Sequence, residues 1–180
     1  MERDEFQSRE PSTSGRNIKL VLIAWMATLG FDFFLHGGLL ARQYLTSTSF
    51  LLNPTESFQR IPIGYLGLLI LAGFLIWIFS RLAVRGWREG LKLGAIIGGV
   101  MWVSLAFGIY SISTAPPGLL LTWVVGQTVG MAYGGAVIGQ GLVSQSLRSL
   151  FLTTLLVTLG FIILTIAMQS TGLVPSVVIE

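Results

Sequence analysis

The sequence predicts an all-α, polytopic membrane bundle of about five transmembrane helices with a cytoplasmic N-terminus. Three observations carry this expectation. Hydrophobic residues make up 53% of the 180-residue chain and charged residues 11%. That is under half the ~25% charge of soluble domains, too little to coat a water-facing surface. Five continuous apolar runs each approach the ~20 residues that cross ~30 Å of hydrocarbon, whereas barrel strands would need only about 10 residues of alternating polarity. Finally, Lys and Arg gather on one side of the connections between the runs.

Taken in order, residues 1–17 hold Glu2, Arg3, Asp4, Glu5, Arg9, Glu10 and Arg16 among Pro, Ser, Thr and Gly. They read as a disordered cytoplasmic tail that buries too little apolar surface to fold alone. The stretch is also too long and too acidic for a cleaved signal peptide. A five-helix domain is expected over 18–170, with a short external tail over 171–180. The first run extends from about Ile18 to Leu40, and the second from about Ile63 to Ser80, reaching towards Val84. The third covers Leu93 to Thr114, the fourth Gly118 to Val143 and the fifth Leu150 to Met168. Ala115-Pro116-Pro117 makes a tight hairpin between the third and fourth. The connection from Ala41 to Pro62 carries Phe50, Leu51, Leu52 and Phe58. It reads either as a segment lying along the membrane surface or as a lid over an outward-facing cavity.

Orientation follows from the basic residues. Arg3, Arg9, Arg16, Lys19, Arg81, Arg85, Arg88, Lys92 and Arg148 fall on one side; Arg42 and Arg60 fall on the other. Nine of eleven therefore mark the cytoplasmic face. Tyr44, Tyr65, Tyr110 and Trp123 near the outer ends, with Trp25, Trp77, Trp87 and Phe151 near the inner ends, agree with interfacial aromatic belts.

Several functions are excluded by composition. With no cysteine there are no disulfides, thiolate metal sites or cysteine nucleophiles. A single histidine rules out a multi-histidine metal site or bis-histidine haem within one copy. A net charge of +3 without a basic face points away from nucleic acid. Gly-x-Ser-x-Gly, His-Glu-x-x-His and paired intramembrane carboxylates do not occur, and Ser144, Ser146 and Ser149 have no base nearby in sequence. No catalytic residue is assigned, and a membrane enzyme acting on lipid or quinone is the weakest reading.

Chemistry within the spans reduces to Asp32 and His36, four residues apart and hence neighbours on one helical face. Thr28 and Gln43 extend this face into a polar stripe about 80° wide at 100° per residue. A carboxylate near the bilayer centre costs about 2.5–3.5 kcal/mol even on the translocon scale, so it should face protein or water. At 1.5 Å per residue, Asp32 lies ~19 Å from Lys19, Gln127 ~13 Å from Gly118 and Ser104 ~16 Å from Leu93. The expectation is a shared layer of Asp32, Ser104 and Gln127, with His36, Tyr65 and Tyr110 above it towards the outside. One reading is a proton relay or ligand-binding pair; the other is a structural hydrogen bond between helices. No cofactor is assigned, although His36 is a candidate single axial ligand to a haem or pigment.

Glycines supply the packing signal. Gly90, Gly94 and Gly98 recur one turn apart at the start of the third run, and Gly126, Gly130, Gly134, Gly135 and Gly139 along the fourth. Small residues at this spacing let helix backbones approach closely, within one chain or between two copies.

The run Phe31-Asp32-Phe33-Phe34-Leu35-His36-Gly37-Gly38-Leu39-Leu40, with Arg88-Glu89-Gly90-Leu91-Lys92-Leu93-Gly94 later, resembles a group of small bacterial inner-membrane proteins. These pair an Asp-x-x-x-His-Gly first helix with glycine-rich later helices. The likeness covers about residues 18–143, the fifth helix being an addition. It implies a multi-pass protein of the bacterial cytoplasmic membrane in which Asp32 and His36 matter, and it implies no activity. The tryptophan-rich sensory proteins have similar size and helix number, but their Trp-x-Pro-Pro pattern is missing here. Two functional expectations result. The first is a non-enzymatic accessory subunit binding membrane-protein partners or a hydrophobic ligand, and the second a small proton-linked transporter or channel subunit using Asp32 and His36.

Overall fold

A computed structural model describes residues 13–46 and 50–175, and among these there is no strand. Helix α1 (Thr13–Phe34) runs into a π-helical turn (Leu35–Leu39) and a short α2 (Ala41–Thr46). Then come α3 (Pro54–Arg81), α4 (Gly86–Ile112), α5 (Pro117–Val143) and α6 (Leu147–Ser170). Five of these helices, α1 with its π-turn and α3 to α6, are long and apolar enough to cross a membrane. The chain is a multi-pass helical bundle. Residues 1–12 and 176–180 of the two expected tails lie outside the described residues.

The helices overrun the apolar runs. α1 begins at Thr13 rather than Ile18, so residues 13–17 of the expected tail are helical. α3 begins at Pro54 rather than Ile63, taking in part of the expected connection, and α4 at Gly86 rather than Leu93. Apolar counting stops where hydrocarbon stops, whereas helical hydrogen bonding continues until a cap ends it. At α3 that cap is Asn53, whose side chain accepts from Glu56 N at 2.8 Å, with Pro54 in the first turn, where its missing N–H costs nothing. At α4, Glu89 Oε2 accepts from Arg85 N at 2.7 Å. Pro62 sits inside α3 among exposed residues, a position where water can reach the carbonyl that proline leaves without a partner.

α1 and α5 form the centre. α3 and α6 each pack against α1, and α4 lies on the far side of α5. The α4–α5 seam is the closest approach in the molecule. A Cβ on Gly90 would collide with the Gly135 carbonyl oxygen, one on Gly135 with the Gly90 carbonyl oxygen, and one on Gly94 with that of Met131. Only glycine allows such backbone contact, which brings Cα–H groups against carbonyls. The glycines of α5 divide between two neighbours. Gly135 and Gly139 face α4, while Gly126, Gly130 and Gly134 face Leu35, Phe31 and Thr28 of the α1 segment. All eight glycines singled out from the sequence thus pack within this chain.

α6 seats on α1 through small and hydroxylated residues. A Cβ on Gly30 would come within 2.7 Å of Thr158 Cγ2, and Thr158 Oγ1 donates to Met26 O at 3.2 Å. The end of the bundle near Arg81 and Arg85, called the basic end here, is filled by Leu20, Ala24, Ala27, Leu75, Phe79 and Ile138, all buried. Ile63, Ile70, Ile96, Phe107 and Leu156 are exposed around the periphery, where acyl chains supply the apolar solvent.

Candidate functional site

One group of polar side chains meets between α1, α2 and α5 in the half opposite the basic end. Gln127, on the α1-facing side of α5, is 8% exposed. Its Nε2 donates to Asp32 Oδ1 at 2.8 Å and stands 2.9 Å from His36 Nε2. His36 Nε2 lies 3.3 Å from the same Asp32 oxygen. His36 Nδ1 faces the Tyr44 hydroxyl of α2. Trp123 Nε1 of α5 donates to that same hydroxyl at 2.9 Å. Thr122 Oγ1 donates to Gln43 Oε1 at 2.8 Å beside it. The result is a connected polar path from Asp32 through His36 to Tyr44.

Local backbone geometry aims these groups. The π-turn places Leu40 N on Leu35 O at 2.8 Å, a five-residue rather than four-residue step. Such turns recur at functional sites because they re-aim side chains. Gly37 and Gly38, weak helix formers, sit inside it. The Gly37 carbonyl accepts from Gln169 Nε2 of α6 at 2.9 Å, so the irregular backbone is held by a polar partner. Tyr44 lies outside the spanning segments. Burial, chiefly, pushes its phenol up to about 12; the Asp32 charge adds to the rise and the Trp123 hydrogen bond opposes it. Tyr44 is therefore an O–H group throughout the neutral range.

Of the residues expected in this layer, Asp32, Gln127 and His36 meet. Ser104 and Tyr110 do not: both are exposed on α4. The pairing of Gly94 with Ala132 and of Gly98 with Thr128, carried along the antiparallel helices, sets Ser104 beside Thr122, five residues or ~7 Å beyond Gln127, so Ser104 differs in level as well as in azimuth. At this level α4 faces α5 through Trp102 and Ala106, whose side chains line the same cleft as Trp123. Ser104 is two residues from each, about 160° round the helix at 100° per residue. Tyr65 is half-buried on α3, near enough for its hydroxyl to sense the Asp32 charge. What it contributes to α1 is its carbonyl, which accepts from Trp25 Nε1 at 2.8 Å. Tyr44 and Trp123 were read from the sequence only as interfacial aromatics. The available signal was spacing, because Tyr44 follows His36 by eight residues, about two turns.

Both ring nitrogens of His36 are engaged, so an axial bond to iron would displace Tyr44 or Gln127. No cluster of three or more His, Cys, Asp or Glu residues able to hold a metal ion occurs among the described residues. Phe50, in the connection before α3, brings its ring centroid 6.3 Å from Trp123, covering the far end of the path. Compared with known proteins, the chain matches no family model, no curated protein and no solved structure.

Proposed function

We propose that this chain is a non-enzymatic subunit of the bacterial cytoplasmic membrane that takes up and releases protons at Asp32 from the outer side only. The observation that supports this reading is the asymmetry of the bundle. A connected polar path runs from Asp32 through His36 to Tyr44 in one half, and an apolar plug of Leu20, Ala24, Leu75, Phe79 and Ile138 closes the other. The basic loops orient the plug towards the cytoplasm, which leaves Tyr44 and Trp123 at the outer surface. A hydroxyl–imidazole–carboxylate series can pass a proton by sequential donation and acceptance. A plug without polar groups cannot continue it. This arrangement fits a protonation-responsive accessory subunit of a larger membrane complex better than a transporter, which needs access from both sides.

The test is infrared spectroscopy of the reconstituted protein in vesicles of known orientation. The carboxyl band missing from Asp32→Asn should follow the pH on the Arg42 side and ignore pH on the Arg85 side, and a pH gradient should drive no Asp32-dependent flux. Flux lost in Asp32→Asn would replace this reading with the transporter. A band that answers neither side would remove the proton path altogether.

A further inference from the structure

The hairpin between α3 and α4 concentrates the charge of the basic end. Arg81, Arg85, Arg88 and Lys92 follow one another closely there, and all four are exposed. Glu89 is the one acid at this end among the described residues, and its Oε2 is turned back onto Arg85 N. Among the described residues no carboxylate forms an ion pair with any of the four cations. Arg16, by contrast, is committed to α5: its Nη2 donates to Gly141 O at 2.7 Å and to Ser144 O at 2.6 Å.

The backbone fixes how these groups are presented. Residues 82–85 join the two helices. Val84 N donates to Phe79 O at 3.0 Å and Ala83 N to Ser80 O at 3.4 Å, while Ala83 takes the left-handed conformation at φ 53°. This is a Schellman ending to α3, pinned by the Val84 side chain, which is buried in the core. On α4, Gly90 lies against the Gly135 carbonyl of α5. At 100° per residue, Arg88 and Lys92 stand about 160° and 200° round the helix from Gly90. They are neighbours one turn apart, on the face turned away from α5. Trp87 and Leu91 come at about 60° and 100°, an apolar stripe beside the cations, and both are exposed, as is Leu82 in the turn. The Arg88 guanidinium carbon lies 5.3 Å from the Trp87 ring centroid. Its flat face thus rests on the indole, which leaves the N–H edge available to an acceptor.

A ligand that matches this hairpin carries negative charge and an apolar body together. A free anion would meet the cations and leave Trp87 and Leu91 uncovered; a neutral lipid would do the reverse. We propose that the hairpin seats an anionic phospholipid of the adjoining leaflet, its phosphate held by Arg88 and Lys92 with Arg85 beside them, and its glycerol backbone and first methylenes against Trp87 and Leu91. Basic clusters at the ends of spanning helices attract such lipids, and tryptophan lies at headgroup level. The seat shares no residue with the path from Asp32 to Tyr44, so either proposal can fail alone.

Tryptophan quenching by brominated lipid tests it. The full chain is reconstituted in phosphatidylcholine bilayers of the same composition in both leaflets, with a minor share of brominated phosphatidylglycerol or brominated phosphatidylcholine. The Trp87 signal is the difference between each protein and its Trp87→Phe partner. Brominated phosphatidylglycerol should quench Trp87 at about one-tenth the share that brominated phosphatidylcholine requires. Arg88→Gln and Lys92→Gln should each lower this preference by about fivefold, the effect of one cation near an anionic headgroup. Arg88→Lys should keep most of it. Arg148→Gln, which removes a cation of the same end from another connection, should leave it unchanged, and added glycerol 3-phosphate should not relieve the quenching. Equal quenching by the two lipids would overturn the seat. So would an equal loss in Arg148→Gln, which means a diffuse field, or relief by glycerol 3-phosphate, which means a soluble phosphate ligand.

Discussion

Substituting alanine for glycine should have opposite signs at two positions of the same hairpin. At Gly135 a Cβ would meet the Gly90 carbonyl oxygen and lie 3.0 Å from Gly94 Cα. Both obstacles are backbone, so neither can rotate away, and α4 must shift bodily. Overpacking of this kind costs about 1–3 kcal/mol, and the backbone contact argues for the upper end. Alanine returns about 0.5–1 kcal/mol of helix propensity, leaving Gly135→Ala destabilised by about 2 kcal/mol. At Gly108, further along α4, a Cβ meets nothing within 4 Å, so Gly108→Ala should gain the propensity alone. The two variants should differ by about 2.5–3 kcal/mol, the sum of those terms. Reversible unfolding in mixed micelles with increasing dodecyl sulfate measures both against the parent. Equal shifts, or a stabilised Gly135→Ala, would refute the view that α4 is held by backbone contact at the glycine seam.

Two further outcomes follow from the far end of the bundle. Tyr44 carries a folded-state value of about 12 against 10 when unfolded, so the stability it contributes is complete below pH 10 and lost as pH rises through 12. The loss reaches about 2–3 kcal/mol. Subtracting the alkaline absorbance titration of Tyr44→Phe from that of the parent should isolate this ionisation near 12; a midpoint near 10 would contradict the burial argument. Gln169→Leu removes the donor to Gly37 O and should cost about 1 kcal/mol, read as faster amide exchange through Leu35–Leu39. Unchanged exchange there would mean the π-turn needs no support from α6.

The number of spans was legible because hydrocarbon thickness imposes it on composition. The meeting of Asp32 with Gln127 was legible because depth is arithmetic along a rigid helix. Rotation about the helix axis was not. Ser104 lies beyond their level and points away, since α4 meets α5 first through Gly90, Gly94 and Gly98 and then through Trp102 and Ala106, a contact line that drifts round the helix. The glycines announced close packing without saying which stripe meets which neighbour, for Gly134 and Gly135 are adjacent in sequence and serve opposite sides of α5. Tyr44 was within reach of the same arithmetic, eight residues or about two turns beyond His36, but its aromatic ring near a helix end read as an interfacial anchor instead.

The bond between Gln127 and Asp32 closes across 95 residues, and that separation has a temporal side. At about 5–20 residues per second of synthesis, the first helix is made some 5–20 s before the segment that supplies its amide. During this interval the acid has no α5 to turn towards, and α6, which also packs against α1, is made later still. Biogenesis must therefore shelter a half-finished hairpin of costly polarity, and the order of events is set by the tail of the message rather than its beginning.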